Sequence, residues 1–96
     1  MPGALPKVAK TTYHYYTDPG HGWLAVKRSE LDRLGIANKI SPYSYQRGDT
    51  VYLEEDMDMT TFLLIKKQMG EFVNMSEIYQ ENTPIRHYEQ YRFLLK

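Results

Sequence analysis

Ninety-six residues, with twelve Lys or Arg against twelve Asp or Glu and no cysteine, describe one domain of zero formal net charge. A chain of this length supports one modest core, and the missing thiols exclude a disulfide framework, a thiolate metal site and a cysteine nucleophile. No apolar run approaches the ~18 residues that cross a bilayer, so no membrane partner is expected.

Leu, Ile, Val and Phe together number only 21 of 96, whereas tyrosine alone supplies nine residues. That aliphatic content sits near the roughly 20% below which chains tend to disorder. Tyrosine must therefore fill part of the core, with each buried hydroxyl finding a partner. Charge is unevenly divided. Residues 1–53 carry seven basic and four acidic side chains, and residues 54–96 carry five and eight. The simplest account is attraction between the two halves of one domain; a dipolar surface for a charged partner is the alternative.

Residues 1–10, with Pro2, Gly3 and Pro6, read as a flexible lead-in, and 11–96 as the single domain. Residues 11–17 are β-branched and aromatic, which predicts a strand. Asp18-Pro19-Gly20 is a turn signal, and residues 22–28 alternate with Leu24 and Val26 on one face and Trp23 and Ala25 on the other. The two strands form a hairpin with His21 at its tip. Ser29 is the expected cap of a short helix with Leu31 and Leu34 on its apolar stripe. Gly35 and Ile36 suit the turn that ends it.

Residues 43–54 predict a second hairpin turning at Gly48-Asp49, with Tyr43 and Tyr45 on one face of its first strand. Val51 and Leu53 point opposite to Tyr52 and Glu54. Asp56 or Asp58 is the expected cap of a helix over about 58–69, buried through Met59, Phe62, Leu63 and Met69, with Leu64 and Ile65 widening the stripe. Lys66 and Lys67 fall near its C-terminus, where the dipole favours cations. Gly70 ends it, and 71–79 favours a strand. Thr83-Pro84 opens a helix over 84–95 or precedes an edge strand at 85–88; both fit.

Few residues carry recognisable chemistry. His14, His21 and His87 lack the i, i+4 spacing of a helical metal site. Glu54, Glu55, Asp56 and Asp58 do not make a calcium loop: from Asp56, Thr61 stands at the glycine position and Lys67 at the bidentate glutamate. Carboxylates at a helix start are explained by its free N–H groups. Arg47-Gly48-Asp49 spells an integrin-binding tripeptide, but Gly-Asp at a hairpin turn accounts for it. There is no nucleophile elbow and no phosphate loop. Strand tyrosines with Lys10, Lys27, Arg28 and Arg47 are compatible with a stacking platform for single-stranded nucleic acid. Tyrosine is equally at home in protein interfaces.

Two resemblances follow from motifs. LAVKRSELDRLGI followed by GDTVYLEED is similar to the AbrB-type swapped-hairpin DNA-binding fold. In that fold a strand enters a short helix ending Leu-Gly-Ile, and Gly-Asp opens a strand. Lys27 stands where that family usually has proline, and residues 37–47 intervene where it passes almost directly. Over more of the chain, DPGHGW (18–23), LGIANKISPYSY (34–45) and VYLEED (51–56) together resemble small phage- and prophage-encoded proteins without an assigned activity. That resemblance implies a mobile-element origin and a cytoplasmic setting, the host cytoplasm if phage-encoded.

The expected fold is α+β: a small antiparallel sheet built from two hairpins plus a further strand, with two short helices on one face. The expected function is a non-enzymatic accessory protein that binds and modulates a host or phage macromolecule, an inhibitor of a host defence system being one form. The alternatives are a DNA- or RNA-binding accessory protein and a small enzyme pairing His21 with a carboxylate from residues 54–58. The expected interaction face contains His21, Trp23, Tyr43, Tyr45 and Arg47, with no catalytic residue, metal or cofactor. A protein is the first expected partner, with nucleic acid and a second copy of the chain as alternatives.

Overall fold

A computed structural model describes residues 10–93, so the expected lead-in lies, apart from Lys10, outside the described residues. The strands are β1 (Lys10–Thr17), β2 (Gly22–Lys27), β3 (Tyr45–Arg47), β4 (Thr50–Glu54), β5 (Phe72–Tyr79) and β6 (Glu89–Gln90). The helices are α1 (Arg28–Arg33) and α2 (Asp58–Gln68), with 3-10 turns at Ala37–Lys39 and Pro84–His87.

The six strands form one sheet in the order β5-β1-β2-β4-β3-β6. β1 and β2 pair antiparallel through Tyr15–Leu24 and Tyr16–Trp23. β3 and β4 form the second hairpin, with Arg47 opposite Thr50. Its two-residue connection needs Gly48, whose φ is +58°, a conformation that costs a residue with a Cβ.

The sheet departs from the antiparallel expectation at β5. This strand runs parallel to β1 over its whole length, from Lys10–Phe72 to Thr17–Tyr79. Alternation announces a strand but not its neighbour, and α2 supplies the crossover that a parallel connection requires. In the segment similar to a swapped hairpin, β2 pairs with β4 of the same chain.

One face of β2 and β4 builds the core. Leu24, Val26, Val51 and Leu53 are buried together with Leu31 of α1, Phe62 of α2, and Leu34, Ile36 and Ile40 from the connection that follows α1. Tyr13 of β1 joins them, its ring edge-on to Phe62 at 5.4 Å. Tyr91 also enters this cluster, and its hydroxyl donates to the Ala37 carbonyl. Two tyrosines thus replace missing aliphatics, and both have hydrogen-bonded hydroxyls.

The helix ends differ from expectation in instructive ways. α1 stops as expected: Ile36 N–H bonds the Leu31 carbonyl at 3.0 Å and Gly35 N–H bonds Asp32 at 3.1 Å, with Gly35 at φ +71°. Ser29 does not cap it. β2 runs straight into the helix from an extended Lys27, which leaves Ser29 inside the first turn. Neither Asp56 nor Asp58 caps α2; Met57 holds that position without a side-chain bond. Leu64 and Met69 of the expected stripe are exposed, while Met59, Leu63 and Ile65 pack partly against the core. Tyr43 precedes β3 rather than lying on it. The open segment after Thr83 resolves as a 3-10 turn followed by a two-residue strand, the Thr83 hydroxyl accepting from Ile85 N–H.

Lys66 lies in the last turn of α2, as expected, and is buried. Its ammonium reaches Glu71 at 2.7 Å and Glu30 at 3.0 Å. Arg33 pairs with the same two carboxylates, and the Tyr13 hydroxyl donates to Glu30. The network joins α1, α2, β1 and the start of β5. Burial alone would lower the Lys66 pKa; bonds to Glu71, Tyr13 and Glu30 outweigh it and raise it.

Hydrogen bonds from Arg33 and Lys66 hold the Glu71 carboxyl at about 2, against an ordinary 4.5. A depressed folded-state pKa stabilises the fold above the unfolded value, and that contribution fades as pH falls toward the folded one. Chemical unfolding should therefore show stability declining between pH 4.5 and about 2. Glu71→Gln should flatten that decline while lowering stability at pH 7.

Candidate functional site

The sheet face opposite the core carries Trp23, and the site is built around it. Asp18 closes the turn that leads to Trp23. Its Oδ1 accepts from the N–H groups of Gly20 and His21 at 2.9 and 2.8 Å. Its own N–H donates to the His21 carbonyl at 2.9 Å. Arg86, from the 3-10 turn after β5, then grips the same carboxylate with Nε at 2.5 Å and Nη2 at 3.1 Å. The Arg86 bond, with help from the two backbone donors, holds the Asp18 carboxyl well below the usual range. Gly22 is obligatory for a different reason: a Cβ there would overlap the Tyr15 phenol. Tyr15 is fixed in that position by donating to Glu55 at 2.5 Å.

Trp23 is only 2% exposed. His21 stands 5.9 Å away ring to ring, Tyr45 lies edge-on at 6.3 Å, and the Arg86 guanidinium is 5.4 Å from the indole. A second clamp places the tyrosines. Asp58 is 3% exposed, and its carboxylate accepts from Ser41 N–H at 3.0 Å, Ser41 Oγ at 2.6 Å and Ser44 Oγ at 2.5 Å. Ser44 Oγ in turn accepts from Glu54 N–H at 2.9 Å, and its carbonyl accepts from Tyr91 N–H at 2.8 Å. This fixes the Ser41–Tyr45 segment against the first turn of α2 and the end of β4.

Between the two clamps lies an open cavity of about 400 Å³. Trp23 is the floor, Tyr43, Tyr45, His21 and Met57 are the walls, and Glu54, Asp56 and Arg86 complete the rim. Its volume falls in the range of ordinary ligand sites, roughly 300–1,000 Å³. Tyr43 is 64% exposed and presents most of its ring to solvent.

Four of the residues expected on an interaction face, His21, Trp23, Tyr43 and Tyr45, thus line one cavity. Arg47 does not. It ends β3 and lies over the Tyr88 ring at 5.1 Å, donating to the Tyr88 hydroxyl at 3.3 Å. There it closes a separate row of rings on the same sheet face: Tyr16 to Tyr52 at 6.0 Å and Tyr52 to Tyr88 at 5.2 Å. Sequence reading missed Arg86 and Met57 as cavity residues; it set a carboxylate from residues 54–58 beside His21 only in the enzyme alternative, and Glu54 and Asp56 do line the cavity with His21. Glu54 was legible in principle, since it alternates with Leu53 and lies opposite Trp23. Arg86 was not, because 68 residues separate it from Asp18.

The charge of the cavity is decided by pairing. Arg86 is matched by Asp18. Glu54 accepts only a backbone bond from Met57, and no salt bridge among the described residues reaches Glu54 or Asp56. Two carboxylates therefore stand beside aromatic rings without a salt bridge among the described residues, while Arg86 in the same lining is paired with Asp18. His21 is hydrogen-bonded through its backbone. His14 sits elsewhere, against Tyr16 at 6.1 Å. Among the described residues no group of three His, Asp or Glu side chains is placed to hold a metal ion, and no helix is long and apolar enough to cross a membrane.

Comparison with protein-family models, curated proteins and solved structures finds no match to this chain.

Each clamp has a measurable consequence. Asp58→Ala strands three donors, of which the Ser44 hydroxyl is fully buried and the two of Ser41 are partly so, and should cost about 3 kcal/mol in urea unfolding. Asp18→Ala removes both the turn bonds and the Arg86 pair. Trp23 is the single tryptophan, so its emission should move to longer wavelength as the indole becomes wet. Unchanged emission would show that Asp18 does not hold this floor in place.

Proposed function

We propose that the chain is a non-enzymatic binding protein that receives a basic side chain of a protein partner in the Trp23 cavity. The carrying observation is the meeting of Tyr43, Tyr45 and His21 around one opening with two carboxylates, Glu54 and Asp56, that form no salt bridge among the described residues. An arginine or lysine gains from both components: ring faces attract its charge by about 0.5–2 kcal/mol, and the carboxylates add Coulombic attraction in a site partly screened from water. An anion would meet like charge, since Asp18 already neutralises the sole arginine of the rim. Partner recognition of this kind needs no catalytic group. The resemblance of the DPGHGW and ISPYSY segments to phage-encoded proteins supports an accessory role for a phage or mobile element. Its target is then a host or phage macromolecule, of which a host defence protein is one example.

Trp23 reports on its own site. Titration with N-acetyl-arginine amide should change its fluorescence saturably. The same titration with N-acetyl-glutamine amide should not, and Glu54→Gln combined with Asp56→Asn should abolish the arginine response. An arginine response that survives the double change would overturn the proposal. So would saturable binding of single-stranded DNA or RNA at low salt that is lost when Tyr16 and Tyr52 become alanine, which would move the function to the neighbouring tyrosine row.

A further inference from the structure

α1 and α2 both pack on the core face of the sheet, through Leu31 and Phe62. The opposite face carries Trp23, Ala25 and Lys27 along β2, paired in turn with Glu54, Tyr52 and Thr50 of β4. Its charge changes sign along these strands. At one end is the Trp23 cavity with Glu54 and Asp56. Beside it, past the Tyr16 and Tyr52 rings, a second open cavity of about 310 Å³ is lined by those rings with His14, Ala25, Lys27 and Thr50. No aspartate or glutamate lines it. Lys27 is exposed, and no salt bridge among the described residues reaches it. Asp32 and Asp49 share a separate depression with Lys27 at the start of α1, without pairing with it. Arg47, opposite Thr50, adds a second positive charge to this end of the face.

Strand geometry sets the spacing of the two ends. A rise of about 3.3 Å per residue puts Trp23 and Lys27 about 13 Å apart, with both side chains on one face. An extended partner segment has the same repeat. When one of its side chains enters the Trp23 cavity, those two and four positions along face the sheet as well. The first meets the Tyr16 and Tyr52 rings, and the second reaches Lys27.

We propose that the protein partner presents an extended segment in which a basic and an acidic residue stand four positions apart, the basic one in the Trp23 cavity and the acidic one beside Lys27. This deepens the reading of the Trp23 cavity as the seat of a basic side chain and rests on it. Opposite signs at the two ends select the partner: a second basic residue in place of the acidic one would meet Lys27 and Arg47.

The test uses a peptide with one central arginine and a glutamate four positions to either side, on a threonine background, so that one glutamate reaches Lys27 whichever way the segment runs. Trp23 fluorescence reads its affinity. It should bind about threefold more tightly than the same peptide with glutamine at both places, a gap typical of exposed charge pairs. Moving the glutamates to three positions from the arginine turns them to the other side of an extended chain and should remove the gain. Lys27→Gln, folded by circular dichroism, should bind the glutamate and glutamine peptides equally. Equal binding of the two peptides by the unaltered chain overturns the acidic position and leaves the arginine site standing, and so does a glutamate gain that persists in Lys27→Gln. The absence of a saturable response to either peptide overturns the arginine site together with this extension of it.

Discussion

The Asp58 carboxylate is the constraint on which the rest of the site depends. A buried charge is tolerable only when every oxygen is bonded, and this one is bonded by Ser41 and Ser44. Ser44 is completely buried and passes the constraint on, to β4 through Glu54 N–H and to the chain after β6 through Tyr91 N–H. One acid thereby fixes the start of α2, the end of β4 and the loop that carries Tyr43 and Tyr45. Glu54 occupies the cavity rim because its backbone belongs to this arrangement.

Local features of the fold were legible and distant pairings were not. Both hairpins could be read because period-two alternation flanks turn residues, Asp18-Pro19-Gly20 in one and Gly48-Asp49 in the other. The end of α1 could be read because only glycine suits position 35. The helix starts misled. Ser29 and Asp58 are good capping residues by type, yet a strand running directly into α1 displaced the first and two serines claimed the second. Lys66 could be read only as a cation near a helix C-terminus, because its partners, Glu30 and Glu71, come from outside that helix. In the candidate site, the aromatic residues were visible as a surplus. The groups that set its charge were not, since Arg86 meets Asp18 only through the tertiary fold.

Seven of the nine tyrosines fall into three uses. Tyr13 and Tyr91 complete the core with their hydroxyls bonded. Tyr16, Tyr52 and Tyr88 form a row of ring contacts on the opposite sheet face. Tyr43 and Tyr45 wall the cavity. A chain poor in aliphatics thus covers both faces of one sheet with the same residue type. It can do so because tyrosine offers apolar area with a tip that tolerates either a partner or water.

The parallel placement of β5 has a consequence for how the chain assembles. β1 with β2 and β3 with β4 close by turns, and β2 with β4 closes across α1 and β3, but the contact of Thr17 with Glu77 spans 60 residues. Loop-closure entropy makes such a contact the costly one, compensated only when α2 has docked its Phe62 on the sheet. The longest-range strand pairing of this small domain belongs to a single strand. Until that strand arrives, β1 is itself an open edge.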